Sequence, residues 1–281
     1  MKLDLVDVFG SGPLSGNPLG VVHGGDDLTA QQMQALTRWL GFSETTFLLS
    51  PTHPTADYRV RIFYPAGELP FAGHPTLGSC HAWLQAGGVS KHPGVIVQEC
   101  SVGLIEIRRD GERLAFKAPK LIRTGPLEGD ELAEAIRVAG VKRSQLVEAV
   151  HIANGPQWKL LRLASAEEVL AAEPASKAEI GTDVGLAAPA GPSSGADWEL
   201  RAFFADGQGK VREDPVTGSF NAGCAIHLFS NGMASGSYIA AQGRMTGADG
   251  KVYCRQDENG SVWIGGISAT VSSQGLLANI A

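Results

Sequence analysis

A chain of 281 residues, 43% hydrophobic and 19% charged, is long enough for two domains and apolar enough to bury a core, which excludes a disordered polypeptide. With 23 Lys and Arg against 29 Asp and Glu, the net charge is −6 and no basic run occurs, so neither nucleic acid nor an anionic membrane surface is an expected partner. No stretch nears the ~18 apolar residues of a membrane span and residues 1–5 hold no apolar signal core, so a cytoplasmic location is expected.

Leu3, Leu5 and Val8 alternate with polar residues as a first strand, and Ser15-Gly16-Asn17-Pro18 is a turn. Thr29 with Gln32 reads as a capping box, Met33, Leu36 and Leu40 share a helical face, and Gly41 stands at the C-cap. Strands follow over 42–49, interrupted by Ser43-Glu44-Thr45, and over 58–62. Pro75 opens a helix that runs to about Gln85, and short strands come at about 94–99, 103–109 and 112–117. The Pro- and Gly-rich stretch 118–129 predicts a domain crossover. Beyond it lie a helix from Asp130, strands near 146–153 and 157–163, and a helix capped by Ser165 and Glu168. A loop over 187–196, a strand over 199–204, a helix over 218–230 and short strands over 236–278 complete the chain. Cys80, Cys100, Cys224 and Cys254 show no C-x-x-C spacing and read as reduced core thiols. Glycine, at 36 residues, is nearly twice its usual share of about 7%, pointing to many tight turns or to backbone close to a ligand.

The halves repeat. Shifted by 140, residues 61–79 match 201–219 without a gap at six positions, Arg61, Phe63, Gly67, Pro75, Gly78 and Ser79. His74-Pro-Thr-Leu-Gly-Ser79 then falls on Asp214-Pro-Val-Thr-Gly-Ser219, so each half carries a similar helix start. Two such starts, rich in N–H groups without partners and at the positive end of a helix dipole, hold an anion in a cleft between two similar domains. The expected domains are 1–118 with a returning strand 266–281, and 119–265. His74 is a proton carrier or a helix-cap histidine, and Asp214 a functional acid or an N-cap. Glu44, a carboxylate inside the apolar Phe42-Ser-Glu-Thr-Thr-Phe47, is the sharper signal, because burial raises its pKa into the range of general acid–base work. The alternative for it is a surface pair with Arg59 or Arg61. Thr182-Asp183-Val184 lies opposite Glu44 in a register different by one residue, a weak match. His53, His74, His81 and Cys80 lack ligand spacing, so no metal is expected.

Ser15-Gly-Asn-Pro18, Phe42-Ser-Glu-Thr-Thr-Phe47, Pro65-Ala-Gly-Glu-Leu-Pro-Phe-Ala-Gly-His-Pro-Thr76 and Glu213-Asp-Pro-Val-Thr-Gly-Ser219 together resemble the PhzF-like phenazine-biosynthesis isomerase family over essentially the whole chain. The resemblance implies an α+β, diaminopimelate-epimerase-like fold of two similar domains, each a β-barrel-like sheet around a central helix. It implies a cofactor-independent isomerase of a small carboxylate-bearing substrate, with Glu44 as the proton shuttle and His74 and Asp214 as its companions. Gly73, Gly218 and Ser219 would hold substrate and Asn17 would line the site; a homodimer is expected. Phe220-Asn221 departs from the small residues common in the family after Gly-Ser, which affects the pocket on that side. An amino-acid racemase or epimerase of the same fold needs a thiol at each helix start, and the repeat pairs none. A non-catalytic small-molecule binding protein is the alternative from another class.

Overall fold

A helix with small residues on every side can be buried on every side, and this chain builds each of its two halves around one. In the computed structural model, which describes residues 1–277, Met1–Lys117 and the chain from Gly265 form one unit and Ala118–Ile264 forms the other. Residues 278–281 of the expected returning strand lie outside the described residues.

The first unit runs β1 (Lys2–Val8), β2 (Asn17–His23), α1 (Ala30–Leu40), β3 (Glu44–Leu49), β4 (Tyr58–Tyr64), β5 (Gly67–Leu69), α2 (Gly73–Gln85), β6 (Val95–Cys100), β7 (Gly103–Asp110) and β8 (Arg113–Lys117). β1 is antiparallel to β2, β2 parallel to β3, β3 antiparallel to β4, and β4 parallel to β6. β6, β7 and β8 form a meander, and the chain's last strand, Val262–Leu276, pairs with both β8 and β1, closing an eight-stranded barrel. α2 touches β1, β2, β3, β4, β6 and β8, and residues 73–80 are all buried. Gly78 explains how the wall fits so closely: a Cβ there would lie 2.5 Å from Leu19 Cδ2 and 2.8 Å from Val8 Cγ2. α1 lies outside. Its Met33 and Leu36 pack on Val22, Phe47, Leu49 and Phe63, its Thr29–Gln32 capping box is formed, and Gly41 ends it at φ 72°.

The second unit runs β9 (Arg123–Pro126), α3 (Gly129–Ala139), β10 (Leu146–Ala153), β11 (Lys159–Leu163), α4 (Ala166–Leu170), β12 (Asp183–Pro189), β13 (Trp198–Ala205), β14 (Val211–Asp214), α5 (Gly218–Ser230), β15 (Ser237–Gln242) and β16 (Gly250–Gln256). Its pairing order repeats the first, with β11 parallel to β12, β12 antiparallel to β13 and β13 parallel to β15. Ala187 and Ala188, expected in a loop, are buried in β12. α5 is the buried central helix, while α3 and α4 cover the outside with Leu132, Val138 and Val169 against Leu161, Leu186 and Phe203.

The repeat is real, but its register changes where the identities run without a gap. Phe63 pairs with Glu68 across the β4–β5 hairpin, and Phe203 pairs with Glu213 across β13–β14. The second hairpin is therefore five residues longer. Along β4 and β13 the shift of 140 holds; beyond the hairpin α2 starts at Gly73 and α5 at Gly218. Gly78 and Ser79 lie in the middle of α2, so they are not the counterparts of Gly218 and Ser219. The partner of Gly78 is Gly223, where a Cβ would lie 2.7 Å from the Ile152 carbonyl. Asp214 ends a strand and is not the counterpart of His74.

Phe220, expected to reshape a pocket, instead turns into the wall of its own barrel, fully buried beside Trp158 and over Gly185. A Cβ on Gly185 would overlap the Phe220 ring. Gly185→Ala should therefore cost about 1–3 kcal/mol in denaturant unfolding, whereas Gly191→Ala, with nothing near its Cβ, should stay within about 0.5 kcal/mol. Equal effects would show that the ring moves aside freely.

Candidate functional site

β2 and β3 are parallel, with Leu19 opposite Glu44, so Asn17 and Glu44 open their strands at the same end of the first barrel. The first turn of α2 arrives at that end and brings His74 with it. His74 Nε2 lies 3.5 Å from Glu44 Oε2, and His74 Nδ1 lies 3.5 Å from Asn17 Nδ2. Asn17 is buried, the His74 side chain is 4% exposed and that of Glu44 17%, so the carboxylate alone reaches the edge of solvent. The sequence leaves open a surface pair of Glu44 with Arg59 or Arg61; Arg61 is instead held by Glu68 through two 2.7 Å hydrogen bonds.

The turn before Asn17 is held from below. Asp7 accepts the backbone N–H groups of Ser15 at 2.9 Å and Gly16 at 2.8 Å. Any Cβ on Gly16 would run into the Val8 carbonyl and this carboxylate. Only glycine fits there, and the Ser-Gly-Asn-Pro turn sets the position of Asn17. Further along α2, Thr76 donates to the Ala72 carbonyl and accepts from Gln98, and Ser79 donates to Thr46. These bonds fix the rotation of the helix, and with it the direction of His74.

Burial pushes the His74 imidazole down to about 3, so the ring is neutral at pH 7 in spite of the nearby carboxylate. An Asn17 amide nitrogen donating to Nδ1 requires the ring proton on Nε2, the atom that faces Glu44. The consequence for stability has a definite sign. An unfolded histidine titrates near 6.5 and the folded one lower, so the unfolded chain binds the extra proton. This contribution is complete above about pH 6.5 and is lost as the pH falls toward 3. His74→Asn should unfold less steeply with acid, by up to about 1.4 kcal/mol per pH unit. Denaturant titrations between pH 7 and 4 check it, and parallel curves for the two proteins would contradict it.

In the second unit Asp214, Gly218 and Ser219 meet at the start of α5. Asp214 Oδ2 accepts the Thr217 hydroxyl at 2.6 Å. Ser219 Oγ accepts the Trp158 indole N–H at 2.9 Å, and the Ser219 carbonyl accepts from Asn154 Nδ2 at 2.8 Å. Gln242, fully buried and missed in the sequence, binds the Asp214 carbonyl, the Thr217 N–H and hydroxyl, and Asn221. A lone glutamine in a short strand carries no sequence signal. Neither central helix has a side-chain cap: Ala72 offers no oxygen and Thr217 makes no cap bond. The outer helices α1 and α4 are capped by Thr29 and Ser165. Cys80 and Cys224 lie inside the central helices, fully buried, and burial pushes the Cys80 thiol up to about 12. Thiols in such places do not serve as the paired bases of a racemase.

The family model for phenazine biosynthesis-like proteins matches residues 6–274. Trans-2,3-dihydro-3-hydroxyanthranilate isomerase of Pseudomonas chlororaphis is 34% identical over 232 residues, 81% of this chain and 80% of its own length. Antisense-enhancing sequence 1 of Schizosaccharomyces pombe is 40% identical over 172 residues, 59% of this chain; the match covers 58% of the yeast protein, less than two thirds of it. Among solved structures, a phenazine biosynthesis protein of the PhzF family from Bacillus anthracis superposes with a TM-score of 0.83 at 22% identity, covering 99% of both chains. The fold is thus the two-barrel, diaminopimelate-epimerase-like one that the motifs imply. No helix among the described residues is long and apolar enough to cross a membrane.

Proposed function

Given that this chain is an isomerase of the phenazine biosynthesis-like family, we propose that it moves one proton between two carbons of a small carboxylate-bearing substrate, without a cofactor, using Glu44. The observation that carries this reading is the Glu44–His74 contact, a partly exposed carboxylate against a buried neutral imidazole whose N–H faces it. As the carboxylate, Glu44 takes a proton from a C–H bond; the double bond shifts along the substrate, and the carboxylic acid returns the proton to another carbon. No electrons leave the substrate, so no redox partner is required. His74 Nε2–H holds the carboxylate in one orientation throughout and stays neutral, so it does not quench Glu44 as a base. The 3.5 Å contact is long for a hydrogen bond, as catalytic contacts often are before substrate binds.

The substrate's carboxylate calls for donors without a competing side-chain cap. In each unit the first turn of the central helix offers such donors, at Gly73 in α2 and at Gly218 and Ser219 in α5. Asp214, locked to Thr217, is assigned to orient a polar group of the substrate. The P. chlororaphis relative supplies the compound to try first, trans-2,3-dihydro-3-hydroxyanthranilate. Incubation in deuterated water followed by proton NMR should show both conversion and deuterium entering at carbon. A ligand that binds but neither reacts nor exchanges would mean a binding protein instead.

A further inference from the structure

Strand pairing gives Glu44 a counterpart. Thr45 lies opposite Phe63 and Val184 opposite Phe203, so Asp183 opens β12 as Glu44 opens β3. Both strands run parallel to the strand before them, with Gly20 beside Thr45 and Lys159 beside Val184. The weak match of Thr182-Asp183-Val184, off by one residue in sequence, is the true correspondence in space.

The surroundings repeat as well. In the first unit Asn17 reaches the first turn of the central helix at His74. In the second, residues 154–158 tie Asp183 to the first turn of α5. The Gln157 backbone N–H donates to Asp183 Oδ2 at 3.0 Å, the adjoining Trp158 holds the Ser219 hydroxyl, and Asn154 holds the Ser219 carbonyl. The Asn154 Oδ1 atom is buried with no hydrogen-bond partner among the described residues. Lys159 on β11 is the charged group acting on Asp183; β13 places Phe204 across from it, and α5 contributes the neutral Ser219 through Trp158. One backbone bond and one lysine do not offset the burial, which pushes the carboxyl up to about 6.

We infer that Asp183 is a substrate-binding acid: as a neutral carboxyl it donates its O–H to the carboxylate of the bound substrate, so that binding takes up a proton from solvent. The inference rests on the isomerase reading for the identity of the substrate class, and adds a neutral side-chain donor to the backbone donors at the start of α5 for the substrate's anion. No bond other than this hydrogen bond forms, and the proton returns to solvent when the ligand leaves. An anion placed beside a carboxyl raises its proton affinity further, because two negative charges at contact do not both ionise. Binding is therefore strongest below about pH 6 and falls by up to tenfold per pH unit above it.

The probe is 3-hydroxyanthranilate, the aromatic form of the relative's substrate, titrated calorimetrically between pH 5 and 8 in buffers of different ionisation enthalpy. The wild-type protein should take up close to one proton on binding at pH 7, with affinity falling as the pH rises. Asp183→Asn should abolish both the uptake and the pH dependence, and its Tm at pH 8 should be no lower than that of the wild type, since a buried charge has been removed. Asp183→Glu, which still titrates, should keep the pH dependence. An unchanged pH dependence in Asp183→Asn overturns the inference, as does a wild-type protein that binds without proton uptake or does not bind the probe at all. Should Asp183→Asn fail to fold, 13C NMR titration of aspartate-labelled wild type decides instead: a carboxyl midpoint near 6 that rises on adding the probe supports the assignment, and a midpoint that the probe leaves unmoved overturns it. Turnover and deuterium entry with trans-2,3-dihydro-3-hydroxyanthranilate, measured on the same preparation, test the isomerase reading separately.

Discussion

Glu44→Gln should lower turnover by roughly 10²–10⁴-fold, the usual contribution of a positioned acid–base group, while Tm and ligand affinity stay close to those of the wild type. The amide matches the carboxylate in shape and keeps an oxygen that can face His74 Nε2, so the surroundings have no reason to move. What it lacks is the ability to carry a proton. Glu44→Asp should fall between, because the carboxylate survives but is drawn back by about one methylene, and small misplacements of a reacting group are costly. Steady-state kinetics and deuterium exchange on the three proteins check the order. Near-normal turnover in Glu44→Gln would remove Glu44 from the chemistry.

The second large effect is on stability, and it separates two pairs that look alike in sequence. Arg61 and Arg201 stand at matching positions, and each forms two hydrogen bonds to the glutamate across its hairpin, Glu68 or Glu213. The side chains of the first pair are 29% and 32% exposed, those of the second 4% and 13%. Arg201 also donates to the Val169 and Ala172 carbonyls at the end of α4, so it cannot swing out to water without losing those bonds too. Glu213→Ala should then cost about 3–5 kcal/mol, the range for stranding one partner of a buried pair. Glu68→Ala should cost no more than about 1 kcal/mol. Denaturant unfolding of the two variants checks the contrast, and similar losses would mean that burial does not set the value of these pairs.

The elements were legible wherever their physics is local. The capping box at Thr29 and the αL glycine at Gly41 mark α1 by side-chain chemistry and backbone freedom alone. Glu44 stood out because a charge inside an apolar strand needs a reason. The central helices were harder. A helix buried on all sides has no apolar stripe, so nothing periodic marks its first turn, and the Gly-Ser pairs at 78–79 and 218–219 aligned by composition where the structure sets them five residues apart. The five extra residues of the β13–β14 hairpin cannot be seen without strand pairing. That displacement put Asp214 in the place of His74, and a separate one-residue difference between β3 and β12 left Asp183 undervalued. Phe220 was misread for a related reason: its space is made by Gly185, distant in sequence and adjacent only once β12 is in place.

The strand Val262–Leu276 also sets an order of assembly. It pairs Lys2 with Leu276 and Val8 with Ser268, and thereby fills the gap between β1 and β8. A ribosome delivers residues 1–117 before the rest of this chain, yet their barrel stays open along one seam until residues 265–276 emerge. The unit Ala118–Ile264 is continuous and has no such wait. Synthesis and folding therefore run in opposite directions here, against the usual precedence of the N-terminal domain. In the interval β1 and β8 present bare strand edges, a nascent-chain liability that a chaperone would be expected to cover. Loss of residues 265–276 would be far more damaging than their number suggests, since it removes the seam of the barrel that residues 1–117 form.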